Sequence, residues 1–162
     1  MPSTKPPRLF PFLWYAKDAE KAARFYVSVF PNSRVNSVTA LPHESPSGPP
    51  GSVKVVDFTL MGQRIQAMAG KHHPFNDAFS FVVLARDQRE LDRWWKGLLR
   101  GGGKPIACGW LVDRYGVRWQ VMPEEFLPMY RSRDRVRASR VLEALQKMVK
   151  IDIAALKRAW RG

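Results

Sequence analysis

Gly116-Val117-Arg118-Trp119-Gln120-Val121-Met122 decides the fold, because the chain carries nearly the same heptapeptide earlier, as Gly62-Gln63-Arg64-Ile65-Gln66-Ala67-Met68. The two match as glycine, any residue, arginine, apolar, glutamine, small apolar, methionine, at an offset of 54 residues. A second echo lies upstream. Phe12-Leu13-Trp14-Tyr15-Ala16-Lys17-Asp18 runs on to Arg24-Phe25-Tyr26, and Phe81-Val82-Val83-Leu84-Ala85-Arg86-Asp87 runs on to Arg93-Trp94-Trp95, at an offset of 69. The 15-residue difference between the offsets falls on the Pro/Ser/Gly-rich stretch from Pro42 to Gly51, which has no long counterpart in the second copy. One internal duplication with one loop insertion accounts for both echoes.

Each copy opens on a short apolar run rich in aromatic and β-branched residues, which predicts a strand. Asp18 and Asp87 stand at the expected helix N-caps, where a carboxylate accepts from the free amides of the first turn. Ala19, Ala22, Ala23, Tyr26 and Phe30 follow at helical spacing in the first copy. Leu91, Trp94, Trp95, Leu98 and Leu99 do so in the second, up to Gly101-Gly102-Gly103. Period-two segments come next: Val35 to Thr39, Val53 to Leu60 and Arg64 to Ala69, then Lys104 to Cys108, Trp110 to Asp113 and Val117 to Met122. Met61-Gly62 and Tyr115-Gly116 supply the tight turns between the last two strands. The expected class is α+β, built from two βαβββ modules at about residues 9–70 and 78–123.

A βαβββ pair resembles the vicinal oxygen chelate superfamily, the fold of glyoxalase I, bleomycin-resistance proteins and extradiol dioxygenases. Pro11-Phe12-Leu13-Trp14, Phe25 to Ser33, Phe75-Asn76-Asp77-Ala78-Phe79-Ser80-Phe81, Cys108-Gly109-Trp110 and Lys150 to Leu156 look like its PhnB-like branch, often labelled 3-demethylubiquinone-9 3-methyltransferase. The resemblance covers roughly residues 9 to 158. It implies a curved mixed sheet of glyoxalase type. It also implies four metal-ligand positions for the metal-dependent members, which fall on Pro11, Gln66, Ser80 and Gln120.

The 162 residues suit one domain, expected over residues 9–130, between a disordered lead-in at 1–8 and a helical tail at 131–162. No segment is apolar enough to span a bilayer, and Cys108 alone gives no disulfide framework, so a cytoplasmic protein is expected. The net charge of +13 is uneven: residues 131–162 hold ten basic and three acidic side chains, a net of +7. That tail reads as a helix from about Arg135 to Lys150 with an apolar stripe of Val136, Val141, Leu142, Leu145, Met148 and Val149. A second helix, capped by Asp152, carries Ile153, Leu156 and Trp160. The stripe calls for an apolar surface on the domain or on a second subunit, and a homodimer clasped by the tail is the expectation. The rival is an adaptor that binds nucleic acid or an acidic partner by counterion release, although the tail matches no nucleic-acid module.

Strand alternation puts Val117, Trp119 and Val121 toward the helix and Arg118, Gln120 and Met122 on the opposite face. Arg64, Gln66 and Met68 repeat that placement. With Trp14, Ser80 and Trp110 these six residues form the expected lining of a pocket for a small organic ligand, unless the amides are merely satisfied on the sheet surface. A transition metal wants imidazole, carboxylate or thiolate, so Pro11, Ser80 and two neutral amides make a poor set, and no cofactor is expected. His43 lies in the Pro-rich loop. His72 and His73 lie between the modules, and His72 and Cys108 are the weak catalytic candidates. A metal-assisted lyase or isomerase of glyoxalase type is the enzyme alternative. The usual S-adenosylmethionine site needs a Gly-rich turn from strand into helix. Here Gly101-Gly102-Gly103 leaves a helix for a strand, so methyl transfer is not expected.

Overall fold

The computed structural model describes residues 7–70 and 74–162. Most of the expected lead-in, and both His72 and His73, therefore lie outside the described residues. The chain divides into two compact units, Met1–Pro74 and Phe75–Gly162.

In the first unit, β1 (Phe12–Tyr15) leads to α1 (Ala19–Val29), and β2 (Arg34–Ala40), β3 (Lys54–Leu60) and β4 (Gln63–Ala69) follow. The sheet order is β1-β4-β3-β2, with β1 parallel to β4 and the other pairs antiparallel. Alternation fixes the helix side: Leu13, Tyr15, Val56, Phe58, Ile65 and Ala67 are all buried, as are Ala22, Ala23 and Tyr26 of α1. Each large apolar side chain so buried stabilises by about 1.5–3 kcal/mol. The β3–β4 turn has Met61 at φ 49° and Gly62 at φ 84°, the two left-handed residues of a tight hairpin. The inserted loop is ordered by backbone bonds from Leu41 N to Val53 O (2.8 Å) and from Gly51 N to Leu41 O (2.7 Å).

The second unit repeats the plan with β5 (Phe81–Ala85), α2 (Gln88–Leu99), β6 (Lys104–Pro105), β7 (Trp110–Val112) and β8 (Arg118–Pro123), ordered β5-β8-β7-β6. Leu91, Trp94 and Leu98 of α2 are buried along with Val83, Leu111, Val117, Trp119 and Val121. The β7–β8 turn is organised by buried Asp113. Its Oδ1 accepts from Tyr115 N (2.8 Å) and Val117 N (3.1 Å), and its Oδ2 accepts from Trp119 Nε1 (2.8 Å).

Three expectations need correction. The strands are offset by 70, not 69, since Phe12 pairs with Gln66 while Val82 pairs with Gln120. The helices keep the offset of 69, beginning at Ala19 and Gln88, so the first unit has one more residue between strand and helix. That residue defeats the expected cap at Asp18. Asp87 is extended and accepts from Glu90 N (2.8 Å), whereas Asp18 is left-handed at φ 61° and its side chain caps nothing. The expected strand from Lys104 to Cys108 is only two residues long. Cys108 (φ 54°) and Gly109 (φ 82°) turn left-handed, and their amides donate to Met148 O (2.8 Å) and Val149 O (2.9 Å).

The tail accepts those bonds because it is docked on its own unit. It is preceded by α3 (Phe126–Tyr130), which sequence periodicity missed, and consists of α4 (Arg135–Gln146), which stops short of Lys150, and α5 (Ile153–Arg161). Val141, Leu145, Ile151, Ile153 and Leu156 are buried, while Val136 and Val149 of the expected stripe are exposed. Gln88 reads the joint between α4 and α5 twice. Its Nε2 donates to Ile151 O (3.1 Å) and its Oε1 accepts from Ile153 N (2.9 Å). Lys150 pairs with Asp92 (2.6 Å), and Lys157 with Glu125 (3.1 Å). Part of the stripe's apolar demand is met within the chain, at Val141 and Leu145, while Val136 and Val149 stay open.

Candidate functional site

The expected lining residues fall into two sets, one on each unit's sheet face away from its helix. In the first unit Trp14 and Met68 are register partners, and Arg64 and Gln66 follow on the same face of β4. They are joined by a residue that sequence reading missed. Asp57 lies opposite Gln66 on β3, is 9% exposed, and accepts from Asn36 Nδ2 (2.8 Å), Gln66 Nε2 (2.9 Å), and Arg64 Nε (2.8 Å) and Nη2 (2.6 Å). Burial alone would raise its carboxyl; the bonds from Arg64, Asn36 and Gln66 outweigh that and hold it below its ordinary value. Asp57 was legible: Val56 and Phe58 face the helix, so Asp57 must face Arg64 and Gln66.

Phe10 lies under the Arg64 guanidinium, 4.4 Å from ring centroid to carbon. The strand offset of 70 makes Phe10, not Pro11, the counterpart of Ser80, so Pro11 is on the helix-facing parity. Trp14 is half-buried; a side chain at Gly70 would run into its indole and into Ser47.

In the second unit Gln120 Nε2 donates to Ser80 Oγ (2.9 Å), and Trp110 is Gln120's register partner on β7. Trp110 thus occupies the place that Asp57 holds in the first unit. Arg118 turns to the loop instead: Nε donates to Asp77 Oδ1 (2.7 Å) and Nη1 to Gly116 O (2.8 Å). The Arg118 side chain is 21% exposed and that of Asp77 79%. No periodicity ties Asp77 to Arg118, since it lies 41 residues from its partner in an irregular segment. Met122 is buried, against the expectation that it lines an open wall; a side chain on Gly109 would stand 2.9 Å from its sulfur and 3.0 Å from Ile151, where the tail crosses.

Cys108 is half-buried, and its left-handed backbone holds the tail. Among the described residues no group of three or more His, Cys, Asp or Glu side chains gathers as a metal site would require. The donors at the implied ligand positions are Gln66, Ser80 and Gln120, with Phe10 where the fourth would stand. Neutral amides, a hydroxyl and a phenyl ring do not fit a transition metal.

Two hollows lie elsewhere. One of about 450 Å³ opens beside the start of α1 and is lined by Asp18, Glu20, Lys21, Arg24, Ser52 and Lys54 among others. The other, about 310 Å³, lies where α2 and α5 begin. None of the nine expected lining residues borders either one. Among the described residues no helix is long and apolar enough to cross a membrane.

Residues 7–122 match the family model described as 3-demethylubiquinone-9 3-methyltransferase. Among solved structures, the chain is similar to a putative 3-demethylubiquinone-9 3-methyltransferase, PhnB protein, from Bacillus cereus. The two are 26% identical, the match covers 72% of this chain and 99% of that one, and the TM-score is 0.63. A protein from Pseudomonas aeruginosa (17% identity, 74% and 98% covered, TM-score 0.53) shares the fold. So does the fosfomycin resistance protein FosX from Mesorhizobium loti (14%, 70% and 87%, 0.51). A search of the curated proteins finds no match. The matched family model and the duplicated βαβββ plan agree: the chain belongs to the 3-demethylubiquinone-9 3-methyltransferase family, the PhnB-like branch of the vicinal oxygen chelate superfamily.

Proposed function

We propose that this protein binds a small organic molecule on the sheet faces turned away from α1 and α2, and that it does not transfer methyl groups. The observation that carries this reading is the duplicated run Arg-apolar-Gln-apolar-Met, whose Arg, Gln and Met stand on the helix-averted face of β4 and β8. A polar row flanked by Trp14 in one unit and Trp110 in the other suits a partly apolar ligand with a few polar groups. The family label names a methyl transfer, yet the only glycine run, Gly101-Gly102-Gly103, connects α2 to β6 and so cannot cradle a cofactor at a helix start. The donor chemistry at Gln66, Ser80 and Gln120 also argues against a tightly held transition metal.

The protein is read as cytoplasmic and homodimeric, the commonest closed assembly. The test of the main reading is amide-resolved NMR of the whole chain with a panel of small aromatic acids and their neutral analogues. Binding should shift amides of β4 or β8. A panel that shifts only residues around the hollow beside α1, or none at all, refutes the reading. Micromolar binding of S-adenosylmethionine in equilibrium dialysis would reinstate methyl transfer.

A further inference from the structure

The two faces descend from one plan, and one of the places where they differ indicates a ligand. In the first unit Asp57 sits opposite Gln66 and takes two hydrogen bonds from Arg64. The arginine there is already answered by a carboxylate that is 9% exposed and fixed by Asn36 and Gln66 as well. An incoming anion would have to displace a largely buried carboxylate that four hydrogen bonds hold in place. In the second unit the corresponding position, opposite Gln120, is Trp110. The carboxylate is replaced by a flat indole, while the arginine remains.

Arg118 compensates with Asp77, whose side chain is 79% exposed, and with one backbone carbonyl. Among the described residues its Nη2 takes no partner. An exposed ion pair of this kind contributes little to stability, so an anion can replace Asp77 easily. Lys104, in register with Val112 and through it with Arg118, adds a second positive charge to the same face. Along β8, Arg118 and Gln120 stand about 6.6 Å apart, two residues of extended chain. That is the span of an aromatic ring between a carboxylate and a polar substituent. Trp110, paired with Gln120, supplies the surface on which such a ring stacks.

We propose that the second unit's sheet face binds a planar aromatic carboxylate, with Arg118 holding the carboxylate in the manner of Asp57 and Arg64, Trp110 stacking on the ring, and Asp77 serving as a displaceable placeholder. This rests on the reading that the helix-averted faces bind ligand. The first unit's face is closed to such a ligand by its own Asp57.

The test is an NMR titration of the full chain with benzoate, and with benzamide as its uncharged isostere. Benzoate is expected to shift the amides of 116–122 and the Trp110 indole, leaving 64–68 unmoved, with benzamide at least tenfold weaker. Asp77→Asn should tighten benzoate binding about threefold to fivefold, since the competing anion is gone, and Arg118→Gln should weaken it at least tenfold. Should Arg118→Gln fail to fold, Arg118→Lys keeps the charge but loses the fork and should weaken benzoate several-fold. Equal binding of benzoate and benzamide at 116–122, or indifference to the loss of Arg118, overturns the carboxylate assignment while leaving the face as a ligand site. An Asp77→Asn protein that binds benzoate no better, or less well, overturns the placeholder role. If neither probe moves either face, the proposed function fails with it.

Discussion

Replacing Asp57 with Asn keeps the shape of the side chain and removes its charge, which isolates the network on the first unit's face. Asp57 accepts four hydrogen bonds at 2.6 to 2.9 Å, two of them from Arg64. The amide oxygen of Asn retains one or two of these, while its NH₂ group confronts donors on Arg64 or Gln66. A net hydrogen bond to a charged group is worth about 1.5–3 kcal/mol, and breaking a fully buried ion pair costs about 3–5 kcal/mol. The Arg64 side chain is 30% exposed and can turn partly to water, which lowers the penalty to about 2–3 kcal/mol. Urea unfolding at pH 7, read from probes in the first unit, measures that difference.

The pH dependence gives a second reading. The Asp57 carboxyl is held below its ordinary 3.8, so the stability it contributes is full above about pH 4 and is lost as pH falls through the lower folded value. The gap between wild type and Asp57→Asn should therefore narrow from pH 5 to pH 2.5. A difference under about 0.5 kcal/mol at pH 7, or a gap that widens in acid, would refute the argument.

Three further outcomes are expected. Gly109→Ala places a methyl group at φ +82°, 2.9 Å from Met122 Sδ and 3.0 Å from Ile151 Cγ1; it should destabilise by about 1–3 kcal/mol and speed hydrogen exchange at the Cys108 amide. Asp113→Ala removes the carboxylate that accepts from Trp119 Nε1 and the Val117 amide, both in buried residues; calorimetry should show a loss of about 2–4 kcal/mol. Asp87→Ala removes a working cap and should lower stability by about 1 kcal/mol, whereas Asp18→Gly relieves a left-handed Asp and should leave stability equal or higher.

Local signals carried the plan of the fold a long way. Period-two alternation around Arg64 and Arg118 assigned both faces, and the apolar spacing in α1 and α2 found both helices. The failures share a cause: each depends on residues far apart in sequence. Asp18 and Asp87 look alike locally, six residues before an arginine and two aromatics. What separates them is the pairing of β1 with β4 and of β5 with β8, more than 35 residues away. The tail's attachment rests on Gln88 meeting Ile151 and Ile153 across 63 to 65 residues, which no periodicity reveals. Asp77 reaches Arg118 from an irregular segment for the same reason. Asp57 is the exception, since alternation on β3 was enough to place it.

The joint between first strand and first helix works like a vernier between two scales. Strand β1 must keep step with β4 and helix α1 must keep its apolar side on the sheet, but nothing obliges the two to be joined by a fixed number of residues. The first unit has one residue more than the second at this joint, and neither the helix side nor the opposite face has rotated. The surplus is absorbed by Asp18 in a left-handed conformation and by one missing cap. Since the halves arose by duplication, the segment 16–18 is where they could lengthen independently without disturbing either face. A chimera of the two halves should therefore be spliced inside the helix or inside the strand, where the offset is constant, and never across that joint.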